Sequence, residues 1–477
     1  MELNRQSIQA FPKLWLVFFS GLFLFLTVVV HQTGFSAGGN SVQYLPVVQR
    51  PFGEHWNLQY EEEGSYYEPI DIIKLADSTF LVAGHYRNFS GGFSGWAMKV
   101  DGKGTVIWNK NFNLTNWREQ IEKALPTADG GAILVGYLHD GVNFREEGWI
   151  IRLNSDGSIA WQKRYSYGSW TAFRSATQAD NGDIVVAGST ILVNNNKEVL
   201  VMRLTSSGDV VWRYTYGWEE VSESALAVAQ TNDGGLIVVG DKPNWFPGDH
   251  DIWVLQLNDD GSVVWQKTYD SGGDEFANVV IQTDDGGYIV AGQAYYYKGW
   301  VLLLKLTADG SITWQKLVEV GEVGTSLDVR SLQQTVDGHF IVAGSTHTDE
   351  NMNWVLKFNT NGNLIWSKGH PGDYFNIITA KTVVVEAAPG QYLIAAGSAG
   401  SSLPPVGDGG FMYLAKVNSL GEVPGCNAIV PLSMPVTNAG LSATDTAHLP
   451  EELSITTLSE VALSQNLFAD VNMVCSP

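Results

Sequence analysis

The chain has 477 residues, with 28 Lys plus Arg against 50 Asp plus Glu, so its formal charge is −22 and a phosphate backbone is repelled over most of the surface, which excludes nucleic acid as a partner. Hydrophobic residues at 44% exclude a disordered chain, and two cysteines exclude a disulfide scaffold. Charged residues are only 16% while Gly (51) and Trp (17) are abundant, a balance that points to many tight turns around an aromatic core.

Residues 14–30 are one apolar run of 17, preceded by Arg5 and Lys13 and followed by no Lys or Arg before Arg50. The run predicts a hydrophobic helix, either a signal peptide or a single transmembrane anchor within residues 1–31, and both readings place the rest of the chain outside the cytoplasm. Residues 32–53 read as a linker. Gly34, Ser36, Ala37 and Gly38 offer small residues for cleavage, and no Cys follows the run to carry a lipid.

An apolar strand ending in Ala-Gly or Val-Gly then recurs, with its glycine at Gly84, Gly136, Gly188, Gly240, Gly292, Gly344 and Gly397, in five steps of 52 residues and one of 53. Between these strands runs a second phrase, an apolar strand, a Gly turn and a Trp-led strand, as in residues 149–165 (WIIRLNSDGSIAWQKRY) and 253–269 (WVLQLNDDGSVVWQKTY). Both connections carry Asp-Gly turn chemistry, so each repeat is four short strands. A single such unit cannot cover both its faces and must stack on neighbours. The expected fold is all-β: a seven-bladed β-propeller of four-stranded blades over residues 54–425, preceded by the hydrophobic helix.

The Trp of the outer strand stands at 56, 108, 161, 212, 265, 314 and 366, so one outer strand precedes the first Ala-Gly strand while the last repeat lacks its own. Lending residues 55–60 to the last blade closes the ring and leaves no open edge. Residues 426–477 differ in composition and read as a tail bracketed by Cys426 and Cys475. A disulfide between the two is expected in an oxidising compartment and closes a loop worth about 4 kcal/mol in the chain-entropy model; unpaired or metal-bound thiols are the alternative.

The phrases DGGYIVAG (285–292) and LxxDGxxxWQK (306–316) closely resemble those of exported bacterial and archaeal propeller repeat proteins, over residues 54–425. That resemblance implies a fold and an extracytoplasmic address but little chemistry. The blade grammar is also similar to kelch repeats, although their Gly-Gly pair is here Ala291-Gly292-Gln293, and the propeller lacks the Cys that copper-radical oxidases crosslink to Tyr. It looks as well like the tryptophan-docking repeat of quinoproteins, with Asp156-Gly157 and Asp309-Gly310 in place of Thr-Gly and no vicinal Cys pair, which disfavours quinone catalysis.

In a propeller the short, uniform hairpin turns form one face, and the variable links between blades and between second and third strands form the other. Binding residues concentrate on variable loops held by a rigid scaffold. Trp117, Trp170, Trp218, Trp245 and Tyr296 fall on these loops and are the candidate contacts for a glycan or a protein partner, against the alternative that they fold back onto blade edges. Glu119, Glu223 and Glu275 stand 17 residues before their repeat's glycine, and Glu68 and Asp328 stand 16 before theirs, a phase expected to ring the mouth of the channel. Such oxygen ligands suit Ca²⁺ if any cation is held, with turn capping as the alternative; no organic cofactor is expected.

The function expected is an exported binding or scaffold propeller, monomeric, using its aromatic and acidic loop face. An extracytoplasmic glycoside hydrolase with channel carboxylates as acid and base is the alternative from another class, and a structural envelope protein is the third. No HExxH or GxSxG pattern supports metal-dependent or serine hydrolysis.

Overall fold

The second strand of each blade is a continuous apolar run, for example Ala132–His139 (AILVGYLH) and Tyr288–Tyr295 (YIVAGQAY), because neighbouring blades cover both of its faces. Outer strands such as Val263–Asp270 (VVWQKTYD) alternate between covered and open positions, as a strand with one packed face must. The computed structural model describes residues 55–475 except 62–64, 89–92, 116–117, 140–144, 193–195, 219–220, 244–248, 297, 324–325, 348–351, 372–380, 399–410, 425–429, 433, 438–439, 441, 446–450, 453–455, 460–462 and 467–469. The apolar run at 14–30, Trp117, Trp245 and Cys426 therefore lie outside the described residues, and with Cys426 the expected disulfide. Among the described residues no helix is long and apolar enough to cross a membrane.

The fold is the expected propeller. Blade 5 is typical, with Asp274–Gln282 innermost, then Tyr288–Tyr295, Lys298–Leu306 and Ile312–Val323, all antiparallel. Blade 7 has Thr382–Ala388, Gln391–Ser398 and Phe411–Val417 from the end of the repeats and takes Trp56–Glu61 as its outer strand, in register Leu58↔Leu414. The ring closes as the count of Trp residues requires.

The residues past 426, which the sequence sets apart as a tail, join the propeller strand by strand. Val430–Pro431 adds to the outer edge of blade 6, Val436–Thr437 to blade 5, Ser442–Asp445 to blade 4 and Glu451–Glu452 to blade 3. Thr456–Ser459 then adds to blade 2, Leu463–Asn466 to blade 1 and Asp470–Cys475 to blade 7, against Trp56–Glu61. This belt runs round the whole ring in reverse order and gives each blade a fifth strand, which covers the outer edges that a four-stranded propeller leaves to solvent. Its periodicity is hidden in the sequence because each contact spans only two to six residues.

The repeated Trp and Tyr of the outer strand clamp the next blade. Trp108 Nε1 donates to Ser155 O (3.2 Å), Trp265 Nε1 to Ala308 O (3.1 Å) and Trp314 Nε1 to Thr360 O (3.0 Å), all on the turn that precedes the neighbour's outer strand. Tyr216 and Tyr269 hydroxyls donate to Gly261 O and Gly310 O of the same turns, both at 2.6 Å. Gly310 has φ 78° and lies under the Trp265 ring, where a Cβ would sit 2.9 Å from ring carbons, so turn geometry and packing both demand glycine. Tyr216→Phe leaves a carbonyl of the neighbouring turn without its donor and is expected to lower stability by about 1–2 kcal/mol, read from the urea midpoint.

Candidate functional site

Six of the seven inner strands carry a β-bulge at one shared position, where the register slips between Pro69 and Asp71, Ile121 and Lys123, Phe173 and Ser175, Ala225 and Ala227, Ala277 and Val279, and Val329 and Ser331. The residue left over in each case is Ile70, Glu122, Arg174, Leu226, Asn278 or Arg330, always 14 residues before the glycine of its blade. A bulge re-aims its extra side chain, and here all six line a single cavity of about 280 Å³ on the axis of the ring.

Three of the six are charged. Glu122 receives Arg174 Nη1 at 3.0 Å from the adjoining blade and Arg330 Nη1 at 3.6 Å from blade 6, across the channel, so one carboxylate ties two guanidinium groups together. Burial acts to raise the Glu122 pKa, yet Arg174 and Arg330 outweigh it and hold the carboxyl below its ordinary value. Arg174 also donates to the Tyr137 hydroxyl (3.1 Å) and stacks on its ring at 4.6 Å. Arg330 Nε faces Asp328 at 2.7 Å, and Asp328 in turn pairs with Lys381. Glu68 faces His85 at 3.5 Å; burial opposes its charge, but His85, Lys381 and Arg330 bring its pKa down.

The five acids of the sequence reading divide at this point. Glu68 and Asp328 belong to the channel network just described. Glu119, Glu223 and Glu275 lie fully buried and away from the cavity, at the base of the links between blades. Glu119 Oε1 accepts from Thr115 N at 2.6 Å and Leu114 N at 3.2 Å, Glu223 Oε1 from Trp218 N at 3.2 Å, and Glu275 from the Ser271 hydroxyl. Blade 3 has Thr171 at this position, and its Oγ1 accepts from Tyr167 N at 3.0 Å, so the position fastens the incoming loop whichever residue fills it. One residue further along the strand the side chain points the other way, which is why Glu68 and Asp328, 16 before the glycine, meet the charged groups around Arg330 and Lys381 while the position 17 before it meets the loop.

Burial, the largest cause in each, pushes Glu223 and Glu275 up to about 7, well above the 4.5 of a free glutamate. Both therefore bind a proton on folding between those values, and the stability they contribute is full below about pH 4.5 and declines as pH rises through 7. The double variant E223Q/E275Q is expected to flatten that slope and to gain on the order of 2 kcal/mol over the parent at pH 8, with urea midpoints at pH 5 and pH 8 as the measurement.

The described aromatic candidates do not converge. Trp170 is half-buried beneath Lys197 Nζ at 4.7 Å, and Trp218 packs on Trp253 (4.7 Å) with Lys242 above it at 5.3 Å. Tyr296 is 40% exposed and its hydroxyl meets Ser271 at the base of its own blade's loop. Each serves a different blade. Away from the channel, Asp249, Asp251 and Asp270 bring one carboxylate oxygen each within 4.8 Å of one another, short of the six to eight oxygens that Ca²⁺ takes, and include none of the acids singled out from sequence.

The sequence reading missed Glu122, Arg174, Arg330 and Lys381. The first three share a fixed phase, 14 before the glycine, but Ile70, Leu226 and Asn278 occupy the same phase, so residue type alone does not expose it; Lys381 stands 16 before Gly397, at the phase of Glu68 and Asp328.

No curated protein sequence matches the chain. Among solved structures it is similar to a protein of unknown function from Dyadobacter fermentans (11% identity, 76% of this chain and 98% of that one, TM-score 0.44). It is also similar to one of unknown function from Bacteroides caccae (12%, 55% and 93%, 0.34) and to Sqt1 from Chaetomium thermophilum (14%, 73% and 87%, 0.38). Residues 82–245, from the second strand of blade 1 into blade 4, match the family model described as outer membrane protein assembly factor BamB.

Proposed function

We propose that this chain is an exported binding or scaffold propeller that engages a protein partner through the face carrying its inter-blade loops and the mouth of its channel. The observation that carries the reading is the convergence of six bulged residues, from six blades, on one cavity, with Glu122, Arg174, Arg330 and Asn278 supplying polar groups beside the apolar Ile70 and Leu226. The opposite face consists of near-identical Asp-Gly turns already engaged by Trp and Tyr of the neighbouring blade, which leaves little free chemistry there. Likeness of residues 82–245 to an outer membrane protein assembly factor agrees with a partner that is itself a protein. Export rests on the apolar run at 14–30 and the charges that flank it.

The test places a photo-crosslinking residue at Trp170, Trp218 or Tyr296 on the loop face and, separately, at Asp156, Asp260 or Asp309 on the turn face, in cells of the native host. Adducts of one size from the loop face alone support the proposal. Adducts from the turn face alone, or from neither face, overturn it.

A further inference from the structure

We propose that the axial cavity is a carboxylate-binding site in which Arg174 and Arg330 grip the ligand and Glu122 is the resident carboxylate that competes with it for them; the inference rests on the loop-face reading and names the chemistry its channel mouth accepts. In a chain where acids outnumber bases 50 to 28, the cavity wall reverses the balance, with Lys123, Lys197, Arg174 and Arg330 against Asp71, Glu122 and Asp241. Two of those acids have partners, Asp71 in Lys123 of the same wall at 2.9 Å and Asp241 in His250, outside the lining, at 3.0 Å. Glu122 is shared by two guanidinium groups, and Arg330 also holds Asp328 on its Nε, which leaves Arg174 as the guanidinium with donors to spare.

Guanidinium offers five donors in a planar fork matched to carboxylate. Among the described residues the hydrogen-bond partners of Arg174 are Glu122 and the Tyr137 hydroxyl, both on Nη1, which leaves the remaining donors of its fork for a ligand. The Tyr137 ring fixes the plane of that fork at 4.6 Å. On the wall contributed by blade 5, Asn278 keeps its side-chain oxygen buried without a hydrogen-bond partner among the described residues, so reversing the amide costs that oxygen no hydrogen bond there and lets Nδ2 donate to a second ligand oxygen. At about 280 Å³ the cavity sits at the small end of ligand pockets, which suits a short dicarboxylic acid or one acidic side chain inserted from a partner.

Calorimetric titration of the folded chain with succinate, and in parallel with an acetylated, amidated peptide of six glutamates, separates a free metabolite from an acidic segment as the source of the carboxylate. Wild type is expected to bind at least one of the two. R174Q and R330Q should each weaken that binding at least tenfold, and E122Q, which removes the competing carboxylate, should tighten it about tenfold. R174K keeps the charge without the fork and should still lose threefold or more; it replaces R174Q if near-ultraviolet dichroism shows that variant unfolded. Absence of binding in both wild type and E122Q at 10 mM overturns the proposal, as does binding that R174Q or its replacement leaves unchanged. Loop-face crosslinks that persist when carboxylates fail to bind would sink the channel chemistry and spare the loop face as a binding surface, whereas carboxylate binding without loop-face adducts would do the reverse.

Discussion

A chain from which Trp56–Glu61 has been removed is expected to lose its cooperative unfolding transition altogether. This strand is the hinge between the two ends of the sequence, paired on one side with Phe411–Val417 and on the other with Asp470–Cys475, the last strand of the belt. Trp56, Leu58 and Tyr60 on it are 4%, 1% and 0% exposed, and Tyr60 also donates to Gly104 O of blade 1 at 2.5 Å. Losing three buried side chains of this size costs about 2–4 kcal/mol each, which sums to the whole net stability of an ordinary domain. The removal also opens two strand edges to intermolecular pairing, so soluble aggregates should accompany the loss. Urea unfolding followed by tryptophan fluorescence checks it, with a synthetic peptide of residues 55–61 added back. Rescue by the peptide would assign the effect to the missing strand; an unchanged midpoint in the shortened chain would mean that the ring does not depend on its closure. Removing the belt after residue 425 should do less per blade, since at blades 3, 5 and 6 it contributes only two paired residues.

What the sequence discloses of this fold is whatever repeats with residue type. The glycines 52 residues apart, the outer-strand Trp and the Asp-Gly turns all recur because each makes one contact that every blade needs, and they yield blade number, strand order and closure. The belt is illegible for the opposite reason. Strands of two to six residues bind by backbone hydrogen bonds to an edge already formed, and such pairing asks little of the side chains. The channel is intermediate: acids at two adjacent phases, 17 and 16 before the glycine, read from sequence as one ring, but adjacent residues of a strand face opposite ways, so Glu119, Glu223 and Glu275 fasten loops. Glu122 and Arg174, which look like ordinary surface charges in the sequence, reach the axis because a bulge re-aims them.

Gly292→Ala is expected to destabilise the protein by about 3–4 kcal/mol, although restricting the unfolded backbone by itself would stabilise it slightly. The backbone at Gly292 is not left-handed, so conformation does not require glycine there. Space does: a Cβ at 292 would lie 1.9 Å from Phe276 O and 2.9 Å from Phe276 C, on the inner strand immediately before its bulge. The same carbonyl approach recurs at Gly136 against Gln120 O, Gly188 against Ala172 O and Gly240 against Ser224 O, each at 1.9 Å, so the recurring glycine is the imprint of the bulge on the neighbouring strand. An added methyl group must push the bulged segment inward, toward Asn278 and the channel. Gly286→Ala is the matched control, with φ 81° and nothing within 4 Å of its Cβ, where only the left-handed backbone is penalised, at about 1–2 kcal/mol. Equal losses at 286 and 292 would reduce both glycines to turn chemistry and remove the physical link between the 52-residue repeat and the ring of residues on the axis. A loss at 292 at least twice that at 286, with weakened succinate binding in the folded fraction, would tie the repeat's most regular residue to the geometry of the channel.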